Sequence, residues 1–291
     1  YGNTQNQVEM INADNLHVDD FTGEGITIAV MDSGFPNVNT MAAFQRLRDN
    51  GDILGGYDFV TRNADVYANI ASSHGTRVLS TMAGFIQDQF VGTAPDASYY
   101  LFLTEDATSE NPVEESYWVE AAERADSLGV DMINTSLGYR VFDNPNYDYT
   151  PADMDGQTTY ITNGASIAAE KGILVVVSAG NSGATAWQTL GAPADSPEVL
   201  SVGGVDENGE YVSFSSQGGA AQIGYQKPDV VARGGLAFVV NENNTIVQNN
   251  GTSFSSPILC GGIASLWQAI PDATPTEVMD FIRQSASQFT M

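Results

Sequence analysis

Short apolar runs that are hydrophobic at odd and even positions alike, each closed by Gly, Ser, Asn or Asp, constrain this chain more than anything else in its sequence. They occupy residues 26–31, 99–103, 132–134, 173–177 and 199–202. A strand that is apolar on both faces has to be covered on both, and that is the pattern of a buried parallel sheet. Helical spacing of apolar residues marks segments 75–84, 113–128, 164–171 and 276–287. Strand and helix alternate, so the connections are crossovers of right-handed sense. The expected fold is α/β, a mostly parallel twisted sheet with helices on both faces in three α/β/α layers. Ligands on such sheets bind beyond the carboxyl ends of the strands.

A chain of 291 residues with 42% hydrophobic content can bury its core in one domain, expected over residues 1–291. There is no internal repeat or long linker, and the polar segment 241–250 reads as a surface turn or hairpin. No run approaches the roughly 18 apolar residues of a membrane span, and no leader pattern is seen. Ten Lys and Arg against 36 Asp and Glu give a net charge of −26. Nothing would neutralise phosphates, so nucleic acid is excluded as a partner. Self-repulsion among the acids should be relieved in a saline or calcium-containing medium. The lone cysteine, Cys260, rules out an intramolecular disulfide framework and leaves the compartment open.

The polar residues at strand ends are the candidates for chemistry. Asp32 follows ITIAVM and precedes Ser33 and Gly34, which delivers a carboxylate at the end of a buried strand; taken alone, a turn or helix-capping Asp is the favoured reading, since Asp-Ser-Gly is good turn chemistry. His74 lies in SSHGTRVLSTMAG, where Ser72 or Ser73 can cap a helix and Gly75 lets backbone come close. It is either a general base or a structural His, and the other histidine, His17, has no such setting and reads as structural. Ser253 stands in NGTSFSSPILCGGIASLW, where Gly251 permits a tight approach and Thr252 and Ser253 open a helix. It is a helix cap or a nucleophile. Pro257 in the early turns implies that other contacts fix the helix start. The small residues Gly261, Gly262, Ala264 and Ser265 allow close packing. Asn181, in VVVSAGNSG, is a turn residue or a donor that would complement the N–H of Ser253 against a developing negative charge.

Taken in order, DSG, HGTRV, SAGN and GTSFSSP resemble the signature segments of the subtilisin-like serine proteases, the subtilases. YGNTQ, LHVDDFTGEGITIAVMDSG, VGTAP, INTSLG, APADSPEVLSVGGV and KPDVVARGG extend the likeness over nearly the whole chain. The resemblance implies a secreted, extracellular serine endopeptidase acting through an acyl-enzyme on Ser253. His74 would be the base, Asp32 its orienting partner, and Asn181 an oxyanion donor. It further implies that extended substrate pairs with Ser136, Leu137 and Gly138 as an added strand. Ser178, Ala179 and Gly180 would form the opposite wall, and Gly191 and Ala194 the floor of a pocket for a large apolar or aromatic side chain preceding the cut. Asp195, nearby, is expected to point outward into solvent; turned inward it would favour a basic side chain.

Protein or peptide substrates and the chain's own propeptide are the implied partners, with no nucleic acid, no membrane and a monomeric state. No cofactor is needed for the chemistry. Glu114 and Glu115 are expected as helix-dipole partners, with a role toward distant substrate positions as the alternative, and Trp118 as core. Arg77 replaces a second His common in the family, and Cys260 reads as a buried hydrophobe without a catalytic role. Many subtilases hold calcium with residues ahead of the Tyr-Gly start and in a loop that here reads GFIQDQFVG, so that site is in doubt. Asp143, Asp148, Asp153 and Asp155 are either calcium ligands or a solvated acidic loop. The limits at Tyr1 and Met291 lead to the expectation of a processed domain lacking its propeptide and a C-terminal extension. The alternatives are a catalytically silent binding module and an acyl transferase to amines. A changed oxyanion residue or nucleophile would mark either one, and neither is seen.

Overall fold

Every one of the apolar runs becomes a strand of a single sheet. In the computed structural model, residues 1–218 and 226–287 are described. Helices α1 (Gln5–Glu9) and α2 (Ala13–Val18) precede β1 (Thr27–Asp32), which is followed by α3 (Gln45–Asn50), β2 (Ile53–Asp58) and α4 (His74–Ala83). A small hairpin, β3 (Phe85–Ile86) and β4 (Phe90–Val91), leads to β5 (Ser98–Leu103), α5 (Val113–Ser127) and β6 (Met132–Thr135). The chain continues through α6 (Tyr160–Glu170), β7 (Leu174–Ser178), β8 (Leu200–Val205) and β9 (Val230–Arg233). It closes with the hairpin β10 (Ala237–Val240) and β11 (Ile246–Asn249), then α7 (Thr252–Ala269) and α8 (Pro275–Ser285).

The seven-stranded sheet has the order β2-β5-β1-β6-β7-β8-β9, and each neighbouring pair is parallel. Its two faces are read directly from alternate residues. Ile28 and Val30 of β1, Met132 of β6 and Val176 of β7 pack with Val78, Leu79, Ile258 and Ile263 of α4 and α7. Ala29 and Met31, Ile133, Val175 and Val177 turn the other way, onto Trp118, Ala121, Ile161 and Ala165 of α5 and α6. Two-sided burial is therefore why these strands read as unbroken apolar runs. Each fully covered large side chain stabilises the fold by about 1.5–3 kcal/mol relative to exposure.

Where elements escape a reading of the sequence, the cause is local. Strand β2 carries Gly55 and Gly56 in ILGGYD, weak strand formers, and gets its order from pairing with β5. At the far edge, β9 leaves Val231 half exposed. Helix α6 begins at Tyr160 rather than at residue 164. Asn163 and Gly164 look like helix breakers, but an added Cβ on Gly164 would stand 2.6 Å from Val119 Cγ2, so this glycine lets α6 approach α5. Segment 241–250 does form a hairpin turn, closed by Asn241 N–H donating to Thr245 O at 2.9 Å, and it includes β11.

Close approach also decides where α4 begins. A Cβ on Gly75 would lie 2.6 Å from the Gly34 carbonyl oxygen and 3.0 Å from Asp32 Cβ, so only glycine lets this helix start against the end of β1. Gly75→Ala should therefore cost about 1–3 kcal/mol of stability through overpacking, read as a lower urea midpoint at unchanged slope. A midpoint equal to that of the parent protein would show that the contact carries no such constraint.

Candidate active site

Asp32 is the last residue of β1, wholly buried, and its Oδ1 accepts hydrogen bonds from Ser33 N–H at 2.7 Å and His74 Nδ1 at 2.8 Å. Oδ2 has no partner among the described residues. The carboxylate is thus compensated on one side, chiefly by the imidazole. His74 opens α4; Ser73 takes the N-cap position without a side-chain capping bond, and Ser72 Oγ accepts from the His74 backbone N–H at 3.2 Å. Burial works to lower the His74 pKa, and the opposing Coulomb attraction and hydrogen bond from Asp32 outweigh it, so the value is raised despite the nearby Arg77. Arg77 itself is turned to Glu242 and Asn249. His17 is structural, held between Tyr1 Oη and the Thr93 carbonyl.

Ser253 sits in the first turn of α7, where Gly251, at φ 152°, adopts backbone closed to other residues. Pro257 has no N–H, so the carbonyl four residues earlier, that of Ser253, loses its intrahelical donor. Ser136 Oγ supplies one at 2.9 Å, and Ser253 Oγ in turn donates to the Ser136 carbonyl at 3.2 Å. Asn134 Nδ2 donates to Ser136 Oγ, and Asn134 Oδ1 accepts from Ser256 Oγ. The helix start is therefore fixed by the end of β6. Asn134 was not among the residues singled out from the sequence, and the side-chain hydrogen bonds of its strand-end INTS give no pattern there.

Asn181 is positioned by the same turn. Its Oδ1 accepts from Thr252 N–H at 2.9 Å and from Thr252 Oγ1 at 3.1 Å, and Gly180 N–H donates to Thr252 Oγ1. With the oxygen committed to the helix, the amide NH₂ is the group presented outward. The first N–H groups of a helix have no intrahelical acceptor, so Ser253 N–H is a second donor at this end of α7.

A cavity of ≈ 220 Å³ adjoins these residues, and Ser136, Leu137, Gly138, Ser178, Gly180 and Gly191 line it together with Asn181 and Ser253. Ala179 and Ala194 are fully buried behind the wall rather than in it. Asp195 corrects the expectation of an outward, solvated carboxylate. It is completely buried, accepting from Thr162 Oγ1 at 2.6 Å and Gly156 N–H at 2.9 Å, because the first turn of α6 and the loop before it each offer it a donor. Arg140, unnoticed in the sequence, lines the cavity.

Trp118 is core, its indole N–H donating to Thr135 Oγ1. Glu114 accepts from Asp106 and Asn111 N–H groups, and Glu115 accepts Tyr149 Oη on both oxygens, so the acids of α5 clasp neighbouring loops. The acids at 143–155 serve local backbone: Asp148 takes Phe142 N–H, Asp153 takes Thr150 N–H and Asp155 takes Thr158 N–H. Among the described residues no three His, Cys, Asp or Glu side chains gather in a way that could hold a metal ion. Cys260 is buried, and burial pushes its thiol pKa up.

Burial beside other acids pushes Glu105 to about 8, while burial raises Glu110 and Glu115 to about 7 each, from 4.5. The folded protein then holds protons that the unfolded chain releases near 4.5. This contribution to stability is complete below pH 4.5 and is lost as pH rises through about 7 to 8. The urea midpoint of a Ser253→Ala protein, spared self-digestion, should fall from pH 5 to pH 9. Glu115→Gln, which still accepts from Tyr149 but cannot ionise, should lose less over that range; an equal loss would discount the Glu115 contribution.

A family model described as the Subtilase family matches residues 23–291. Subtilisin E of Bacillus subtilis (strain 168) is 30% identical over 286 residues, covering 96% of this chain; the chain spans 65% of that relative's length. Among solved structures, MycP3 protease from the type VII (ESX-3) secretion system matches with TM-score 0.72 at 22% identity, over 96% of this chain and 80% of that one. MycP1 with the N-terminal propeptide removed matches with TM-score 0.68 at 24% identity, over 94% and 87%. These two show likeness of fold. By its family match over most of its length and its fold, this chain belongs to the subtilase family.

Proposed function

We propose that the chain is the catalytic part of a secreted serine endopeptidase, matured by removal of a propeptide. The observation that carries this reading is the Asp32–His74 pair, at 2.8 Å with Asp32 buried and His74 32% exposed, beside a helix start that holds a serine and an oriented amide, the His74 and Phe254 rings being 5.9 Å apart. A propeptide is supported by the MycP1 relative, from which one was removed. Among the described residues no helix is long and apolar enough to cross a membrane. The extracellular location rests on the family resemblance.

Substrate adds as a strand along 136–138, and its N–H takes the Ser136 carbonyl that Ser253 Oγ occupies at rest, at 3.2 Å. The hydroxyl is thereby released toward His74. The Ser253 oxygen attacks the scissile carbonyl carbon, and its proton passes to His74 Nε2. The oxyanion is met by Asn181 Nδ2–H and Ser253 N–H, while Asp32 supports the imidazolium through Nδ1–H. His74 then protonates the leaving amine as the C–N bond breaks. Water, deprotonated by His74, attacks the ester and restores the serine. No cofactor enters these steps. The cavity of ≈ 220 Å³ beside Gly191 has room for a large side chain before the cut.

Hydrolysis of peptide anilides tests the reading. Ser253→Ala should lower kcat by about 10⁶ and Asn181→Ala by about 10²–10³, the sizes seen for the corresponding groups of a subtilisin. Because Asp32 raises the His74 pKa, kcat/KM should fall on acidification with a midpoint above the ordinary 6.5 of imidazole. Undiminished hydrolysis by Ser253→Ala, or a profile flat to about pH 4, would rule the mechanism out.

A further inference from the structure

We infer that Arg140 makes the pocket for the side chain preceding the scissile bond a receptor for carboxylates, so that the enzyme cuts after Glu in preference to its neutral isostere Gln. The inference rests on the endopeptidase reading above and deepens it to a substrate class.

The charge inventory is the first ground. Acids outnumber bases 36 to 10, and a guanidinium in this chain should find a carboxylate. Arg46, Arg62, Arg77, Arg233, Arg283 and Lys227 each do so. Arg48 is used up by the carbonyls of Val38 and Met41, while Arg124 and Lys171, which have no ion pair among the described residues, are exposed to solvent. Arg140 has no carboxylate within ion-pair distance among the described residues, yet it lines the cavity beside Ser253. It lowers the pKa of Glu110, which burial holds at about 7, without pairing with it.

Placement is the second. Tyr139 and Ala192 exchange backbone hydrogen bonds, N–H to O at 2.8 and 3.1 Å, which fixes the backbone leading into Arg140 against Gly191 of the opposite wall. The guanidinium carbon stands 5.8 Å from the centre of the Trp187 ring, and the Trp187 indole N–H donates to the Leu190 carbonyl at 2.9 Å. The guanidinium thus lies within cation–π range of a pinned aromatic ring, and its planar fork of N–H donors is suited to a carboxylate entering the cavity that Arg140 lines.

The remaining lining agrees. Ser136, Ser178 and Ser182 bring hydroxyls, and Leu137 is the only large apolar side chain among the described lining residues. An apolar side chain would fit by size but would strip water from Arg140 and return no hydrogen bond. Asp195, which could have favoured a cation, is committed to α6 and does not reach the cavity.

The test measures kcat/KM for peptides alike except for Glu, Gln, Phe or Lys before the cut, with wild type, Arg140→Ala and Arg140→Glu. Wild type should favour Glu over Gln by about tenfold. That ratio should shrink in 1 M salt, approach one in Arg140→Ala, and give way to a preference for Lys in Arg140→Glu. Cleavage after Phe with Glu no better than Gln in wild type overturns this inference and leaves the peptidase reading standing. A Glu-over-Gln ratio unchanged in Arg140→Ala also overturns it. Failure of wild type to cleave any of the four peptides overturns both readings.

Discussion

A single missing hydrogen-bond donor organises the site. Pro257 leaves the Ser253 carbonyl without its helical partner, and the carbonyl is satisfied from outside the helix, by Ser136 Oγ at 2.9 Å. That bond ties the start of α7 to the end of β6, while Asn181 and Gly180 tie it to the end of β7 through Thr252. Gly75 brings α4 and His74 onto the end of β1 by the same logic of close approach. Neighbouring strands of one parallel sheet, β1, β6 and β7, thus hold the acid, the serine and the amide in fixed relation. A site built on strand ends and helix starts is stiffer than one carried by loops.

The acidity of the chain shapes the surroundings of this site in two opposed ways. Glu105, Glu110 and Glu115 are held partly or wholly out of water near the β5 and β6 ends and keep their protons to about pH 7 or 8. The folded state is therefore favoured on the acid side of the range in which, under the proposed mechanism, His74 must lose its own proton to act as a base. Stability and activity pull in opposite directions across neutral pH. Against the same acidic background Arg140 stands out, because it lines the cavity with no carboxylate in ion-pair distance among the described residues.

The fold was legible because two-sided burial writes itself into sequence as unbroken apolar runs, and the runs at 26–31, 99–103, 132–134, 173–177 and 199–202 all became strands. Strands β2 and β9 were not, since one is rich in glycine and the other lies half exposed at the sheet edge. The four signature segments named Asp32, His74, Asn181 and Ser253, and the fold brings them to one end of the sheet. What single-sequence reading could not supply was side-chain direction. Asp195 turned into the α6 start rather than to solvent, Ala194 withdrew behind the wall, and Arg140 entered the cavity. Each depends on contacts across distant segments, such as the Tyr139–Ala192 bridge, that leave no periodicity or spacing in the chain.

A crystal structure of the protein reacted with a peptidyl phosphonate would show whether Ser253, His74, Asp32 and Asn181 act as one unit on a tetrahedral carbonyl adduct. Phosphorus should be bonded to Ser253 Oγ, with the phosphonyl oxygen within hydrogen-bond reach of Asn181 Nδ2 and Ser253 N–H, and the Ser136 carbonyl accepting from the inhibitor backbone. Attachment at another residue, or an Asn181 amide turned with its oxygen toward the phosphonyl group, would contradict it.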